Sequence, residues 1–248
     1  HQYRCMPTGE WTVGAFDPAG GVDTPKAMNA ECPAPDCVTD GVTINEFRTN
    51  QPGGDDDEYI ELAGEPGTSL DGLCLVVLGD TGDDGCGVVE DVTSLDGNVI
   101  GDSGLFLIAE DFDTLGAEAD LIADLDFENG DNLTFFIVCD CLDVAEGDDL
   151  DADNDSVLDV EPWEFVLDEL AIFGPESDDC VYSDNQIGPD GEFVPAHVYV
   201  CLDLGEYVIG QFDLEGGEDT PGAENLDCPT NDCPADFDGN GVVDVEDL

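Results

Sequence analysis

Basic residues are nearly missing from this chain. Its 248 residues hold 63 acidic side chains against Arg4, Lys26 and Arg48, a formal net charge of −60. Such a surface repels phosphate backbones and anionic lipid, so nucleic acid and acidic membrane surfaces are excluded as partners. Histidine is almost as scarce, with only His1 and His197. A Ser-His-Asp relay needs a histidine base oriented by a buried carboxylate, so "GDSG" at residues 101–104 reads as a turn before an apolar strand. Zinc wants clustered cysteine and histidine, and none occurs; Cys139 and Cys141 read as disulfide partners. No apolar run approaches the roughly 20 residues of a membrane helix, which argues against membrane insertion. The opening "HQYRCMPTGE" lacks the apolar centre of a secretion signal, and a chain that does not start with Met fits one whose leader was removed.

Cysteine, by contrast, is abundant, with 11 in the chain. That number points to an oxidising compartment. An internal repeat makes the odd count intelligible: residues 1–37 match residues 197–233 at 19 of 37 positions without a gap. The matches include His1/His197, Tyr3/Tyr199, Cys5/Cys201, Phe16/Phe212, Pro25/Pro221, Cys32/Cys228 and Cys37/Cys233. Residues 38–233 hold an even set, Cys74, Cys86, Cys139, Cys141, Cys180, Cys201, Cys228 and Cys233, and the other three duplicate its last three members. One pairing consistent with the repeat joins Cys180 to Cys201, Cys228 to Cys233 and Cys32 to Cys37, leaving Cys5 to a partner elsewhere. The chain thus opens with a second copy of its own domain ending, and three segments are expected: 1–40 as that copy plus linker, 41–229 as the main domain, and 230–248 as a linker with a terminal loop.

From Val42 onward, short apolar bursts alternate with Gly, Asp and Pro. "VTINEFRT", "EYIELAG", "GLCLVVLG", "GLFLIAE", "NLTFFIVC", "EFVLDELAIF", "FVPAHVYVC" and "EYVIGQF" read as strands. Seven to nine such strands over about 190 residues predict an all-β antiparallel sandwich. Long acidic loops are expected at 79–90, 112–131 and 140–162, the kind that in compact sandwiches are functional or ordered by metal. Trp11 and Trp163 read as packing residues.

The pair "VTINEFRT…DDEYIELAG" resembles the opening of the lamin tail domain through Ile44, Asn45, Glu46, Glu58, Tyr59, Ile60, Glu61 and Leu62. "SLDGLCLVVLGD" and "GLFLIAED" are similar to its next two strands. The resemblance implies an immunoglobulin-like sandwich over residues 42–200 and a secreted or surface setting, and it implies no activity.

The sharpest chemical motif is terminal, "DFDGNGVVDVED". A calcium loop takes oxygen ligands at positions 1, 3, 5, 7, 9 and 12, with glycine at 6. Asp236, Asp238, Asn240, the Val242 carbonyl, Asp244 and Asp247 fill those places, with Gly241 at the turn. The segment resembles one loop of a dockerin, a family that implies docking or anchoring. A second candidate is "DDLDADNDSVLD", with Asp151, Asp153, Asp155 and Asp159 at positions 1, 3, 5 and 9. It resembles the loops of thrombospondin type 3 repeats, although Ser156 replaces the glycine. "GGDDDE" and "GDTGDDG" are weaker acidic turns. The expected cofactor is therefore Ca2+.

Together these features lead to a non-catalytic extracellular structural protein, held by calcium and disulfides and self-associating head to tail into a fibre or tandem array. The alternative is a calcium-dependent accessory or anchoring module of a larger secreted or cell-surface protein. An enzyme has no support beyond acidity, since no carboxylate pair stands out among 63 acids.

Overall fold

In the computed structural model, described residues are 2–4, 11–13 and 37–229, the last with gaps at 39, 53–56, 81–84, 112–114, 142, 176–179 and 213–216. Cys5, Cys32, Cys233 and the terminal loop from Asp236 to Asp247 lie outside them. Thirteen strands and no helix occur among the described residues. The chain divides into two units, residues 1–36 and 37–248.

The first unit contains a two-stranded antiparallel hairpin, β1 (Gln2–Arg4) with β2 (Trp11–Val13). The second is an all-β sandwich. One sheet has six strands, in the order β13 (Tyr207–Ile209), β12 (His197–Val200), β3 (Val42–Arg48), β4 (Tyr59–Gly64), β7 (Leu105–Ala109) and β8 (Leu121–Ile122). The other has five: β11 (Gln186–Ile187), β10 (Phe165–Ile172), β9 (Leu133–Cys139), β5 (Leu73–Asp80) and β6 (Cys86–Ser94). The sheets are mixed rather than wholly antiparallel, because β8 and β11 add in parallel at the edges.

Side chains alternate across each strand, so apolar residues two apart share a face. Ile60 and Leu62 of β4 meet Leu75 and Val77 of β5 and Phe135 and Ile137 of β9 in the main core. Phe47 and Phe135 stack across it with ring centroids 4.5 Å apart. β9 is buried along its whole length. Its outer face, with Phe136 and Val138, is covered by Val144, Leu150 and Trp163 from the connection to β10. Burying each such side chain stabilises the fold by roughly 1.5–3 kcal/mol.

One irregularity in β3 positions the site. Val42 and Ile44 point into the core, and a bulge between Ile44 and Glu46 then resets the alternation. Phe47 therefore points inward, while Glu46 faces the outside of the sheet beside Tyr59. A bulge shifts every later side chain to the opposite face. Without it, Glu46 would enter an apolar core.

The expected loop at 79–90 is shorter than its composition suggested. β5 continues to Asp80, and β6 starts at Cys86 with alternating burial. The two acids of β6, half-buried Glu90 and buried Asp91, sit within the strand, so this edge strand reads as a loop by composition.

Candidate functional site

Two constructions in the sandwich bring acidic side chains together under control. The first is the loop at Asp151, in the β9–β10 connection. Asp151 is fully buried and accepts three hydrogen bonds: Asp155 N–H to Oδ1 at 3.2 Å, Ser156 N–H to Oδ2 at 3.0 Å and the Tyr182 hydroxyl to Oδ2 at 2.8 Å. Burial, and then Asp151 itself, push the Tyr182 phenol well above its ordinary range, so it remains a donor. The Ala152 N–H donates to Asp159 Oδ2 at 3.1 Å. Asn154 and Ser156 take left-handed φ values of 54° and 66°, which close the turn without the glycine that the pattern prefers. The loop is tied to β6 by Leu150 N–H to Gly87 O at 2.9 Å and by Cys86 N–H to Asn154 Oδ1 at 2.7 Å.

Of the four carboxylates predicted for this loop, Asp151, Asp153 and Asp159 each place one oxygen within 4.8 Å of the others. Asp155 is not in that group; its Oδ1 accepts the Val157 N–H at 3.0 Å. Repulsion from Asp155, then burial, Asp159 and Asp151, raises the Asp153 carboxyl above its ordinary value. An all-oxygen anionic donor set fits a hard cation such as calcium.

The second construction is a buried polar seam on the outside of the six-stranded sheet. β12 lies on β3 with Tyr199 opposite Glu46 and His197 opposite Arg48. After β13 the chain returns across the same face. Glu46 is fully buried, and its Oε1 meets His197 Nε2 at 2.9 Å, the Tyr59 hydroxyl at 2.8 Å and the Thr220 N–H at 2.8 Å. Its Oε2 accepts the Thr220 hydroxyl at 2.7 Å. Asp219 accepts from Tyr59 at 3.1 Å and lies 3.6 Å from Arg48 Nε. Burial raises the Asp219 carboxyl, against the pull of His197 and Arg48. Glu61 accepts from Asn45 Nδ2 at 2.8 Å and from the Gly222 N–H at 2.6 Å, yet burial still pushes its pKa up to about 7. The Asn225 amide donates to the Val200 carbonyl at 2.8 Å and to Asn45 Oδ1 at 3.2 Å. Gly210 is required here, because a Cβ would collide with the His197 ring.

Glu46, His197 and Asp219 also converge closely enough to hold a metal. Arg48 beside Asp219 makes that group an ion-paired structural cluster instead. His197 is buried in this cluster, so no histidine base faces solvent among the described residues.

The disulfides differ from the expected pairing. Cys37 bonds Cys139, Cys74 bonds Cys141, Cys86 bonds Cys180 and Cys201 bonds Cys228. Cys180 thus does not take Cys201, Cys228 does not take Cys233, and Cys37 does not take Cys32. Short sequence separation was a poor guide because the sheets bring distant cysteines closer. In a continuous strand Cys139 and Cys141 would share a face. Asp140, at φ 63°, ends the strand between them, so Cys139 joins the main core while Cys141 packs on the outer layer. Four disulfides suit an oxidising environment, and no helix among the described residues is long and apolar enough to cross a membrane.

The sequence reading missed the seam. Its signal was present in the repeat, where Asp219, Thr220 and Asn225 recur as Asp23, Thr24 and Asn29. Fold and sites together define a disulfide-bonded, highly acidic all-β sandwich closed by a polar return segment. Comparison with known protein families, with curated proteins and with solved structures returns no match.

Proposed function

We propose that this chain is a non-catalytic extracellular structural protein whose sandwich units associate with one another, in tandem or head to tail, and are stabilised by calcium and disulfides. One observation carries the reading. The β1–β2 hairpin reproduces β12–β13 residue for residue: Gln2 pairs with Val13 as Val198 pairs with Ile209, and Arg4 with Trp11 as Val200 with Tyr207. A domain ending present twice, in the same register, is what neighbouring units of one kind require. An open head-to-tail contact between them generates a linear array.

Calcium enters through the Asp151 loop and through Asp236, Asp238, Asn240, Val242, Asp244 and Asp247, where cations would offset repulsion between acidic units. The lamin-tail resemblance supports the secreted setting. The burial of His197 among Glu46 and Asp219 favours a structural histidine over a catalytic base.

The test is particle mass by light scattering, first in millimolar calcium and then after excess chelator. Large particles that shrink on chelation are expected. A monomer of 26.2 kDa in both conditions overturns self-association.

A further inference from the structure

We infer that residues 1–33 form a closing clasp for the seam of a second sandwich of this type, and that His1, Asp23, Thr24 and Asn29 recognise it. The inference rests on the reading of associating units and supplies its recognition chemistry. In the sandwich, His197, Thr220 and Asn225 bond to Glu46 and Asn45 of β3, and Asp219 bonds to Tyr59 of β4. All four side chains recur unchanged at the equivalent positions of the first 33 residues, as do the cysteines of the Cys201–Cys228 bridge and Gly210, which makes room for His197. Exposed Leu202, Leu204 and Leu226 do not recur; Met6, Thr8 and Ala30 replace them. Recurrence is not confined to the seam, since exposed Phe212 recurs as Phe16, while buried Val198 and the seam-bonded Gly222 give way to Gln2 and Lys26. What the copies share at the seam is its four hydrogen-bonding side chains.

Charge separates the two clasps. Residues 197–229 carry eight acidic and no basic side chains, whereas residues 1–33 carry four acidic and two basic. The two are Arg4, in the place of Val200, and Lys26, in the place of Gly222, whose N–H meets Glu61. Two of the chain's three cations thus lie on the segment that would meet another strongly acidic unit, and opposite charge guides such an encounter.

The occupant must be a different sandwich. This chain's own seam is filled by residues 197–228, attached through the chain and held by Cys201–Cys228. A tethered segment competes at an effective concentration near the millimolar range for short linkers. Addition of β1 to a β3-like strand would follow the β12–β3 pairing, a backbone ladder with side chains setting specificity.

The test pairs two full-length chains. The acceptor carries T220A and N225A to weaken its own clasp, and T24A and N29A so that it cannot donate. The donor is wild type or carries T24A and N29A alone. Wild-type donor is expected to give a 1:1 complex with acceptor, twice the 26.2 kDa chain mass, by light scattering. The T24A/N29A donor should bind at least about tenfold more weakly, because buried partners lose their hydrogen bonds. Equal binding by both donors, or by neither, overturns the clasp. If the acceptor does not fold alone, its recovery from denaturant in the presence of each donor gives the same comparison: rescue by wild type only supports the clasp, and equal recovery overturns it. Calcium plays no part in this readout, so a protein that stays monomeric in calcium overturns the array while this result stands separately.

Discussion

Hairpins β1–β2 and β12–β13 share a register but not a setting. The first forms a sheet of two strands, whereas the second is the edge of a sheet of six. Register is thus encoded locally, in the residues of the two strand segments themselves, and place in the fold is encoded elsewhere. A lone hairpin is at best marginally stable in water. What anchors β12–β13 is the seam, where a returning segment brings Thr220 and Asn225 against Glu46 and Asn45.

Breaking the seam at its centre should have the largest effect. E46A strips the acceptor from His197, Tyr59 and Thr220 at once, in a site without solvent. Removing one partner from a buried, charge-assisted network costs about 3–5 kcal/mol. In a domain this size that lowers Tm by about 6–20 °C, read by thermal circular dichroism. An unchanged Tm would mean that the hydrogen bonds of Glu46 contribute nothing net. Next is the bridge at the end of the return, which closes 27 residues of separation. C201S/C228S should cost about 3.5 kcal/mol through loop entropy, in a denaturant titration. C5S/C32S, made at the equivalent positions, should leave the sandwich's midpoint where it was. An equal loss in both variants would tie the first unit to the stability of the second.

These residues also show what the sequence could and could not reveal. Strand positions were legible because alternation is local; "VTINEFRT" and "EYIELAG" became β3 and β4. The bulge was not read, although the adjacent polar pair Asn45-Glu46 between apolar Ile44 and Phe47 breaks strict alternation at that point. Glu46 entered only through the lamin-tail resemblance, not as the buried centre of a seam. Disulfide partners depend on which sheet face each cysteine meets, and Asp140 decides that for Cys139 and Cys141. Spacing grouped Asp151, Asp153 and Asp159, which the fold brings together, but gave no sign of Tyr182, which arrives from beyond β10.

Acidity sharpens the comparison further. Glu61 has its pKa raised from 4.5 to about 7, mainly by burial. The folded state then holds a proton that the unfolded chain has already released between about pH 4.5 and 7. Stability from this group is fully present below pH 4.5 and declines as pH rises through 7. A shift of that size corresponds to on the order of 3 kcal/mol. Wild type should therefore melt higher at pH 5 than at pH 8. E61Q should flatten that slope, although Asp91, raised to about 6 chiefly by burial on β6, will keep part of it. A slope unaltered by E61Q would place the linkage elsewhere.

The smallest expected effect is the one that separates specific from diffuse stabilisation by cations. A chain of net charge −60 gains from any salt, because screening relieves self-repulsion. Calcium must therefore be compared with magnesium at equal ionic strength. The Asp151 loop offers carboxylates on an irregular turn, and calcium tolerates irregular oxygen geometry better than magnesium, which demands a near-ideal octahedron. At ten times its Kd, calcium adds about 1.4 kcal/mol, a rise in Tm of about 3–6 °C. D153N and D159N remove exposed members of the converging group and leave the buried hydrogen bonds of Asp151 intact. The double variant should lose the calcium increment and retain the general salt effect, and it should melt slightly higher than wild type in chelator, since Asp153 there no longer faces Asp155 and Asp159. If calcium and magnesium act alike on both proteins, the loop is held by its own backbone bonds and Tyr182, and cations serve the surface as a whole.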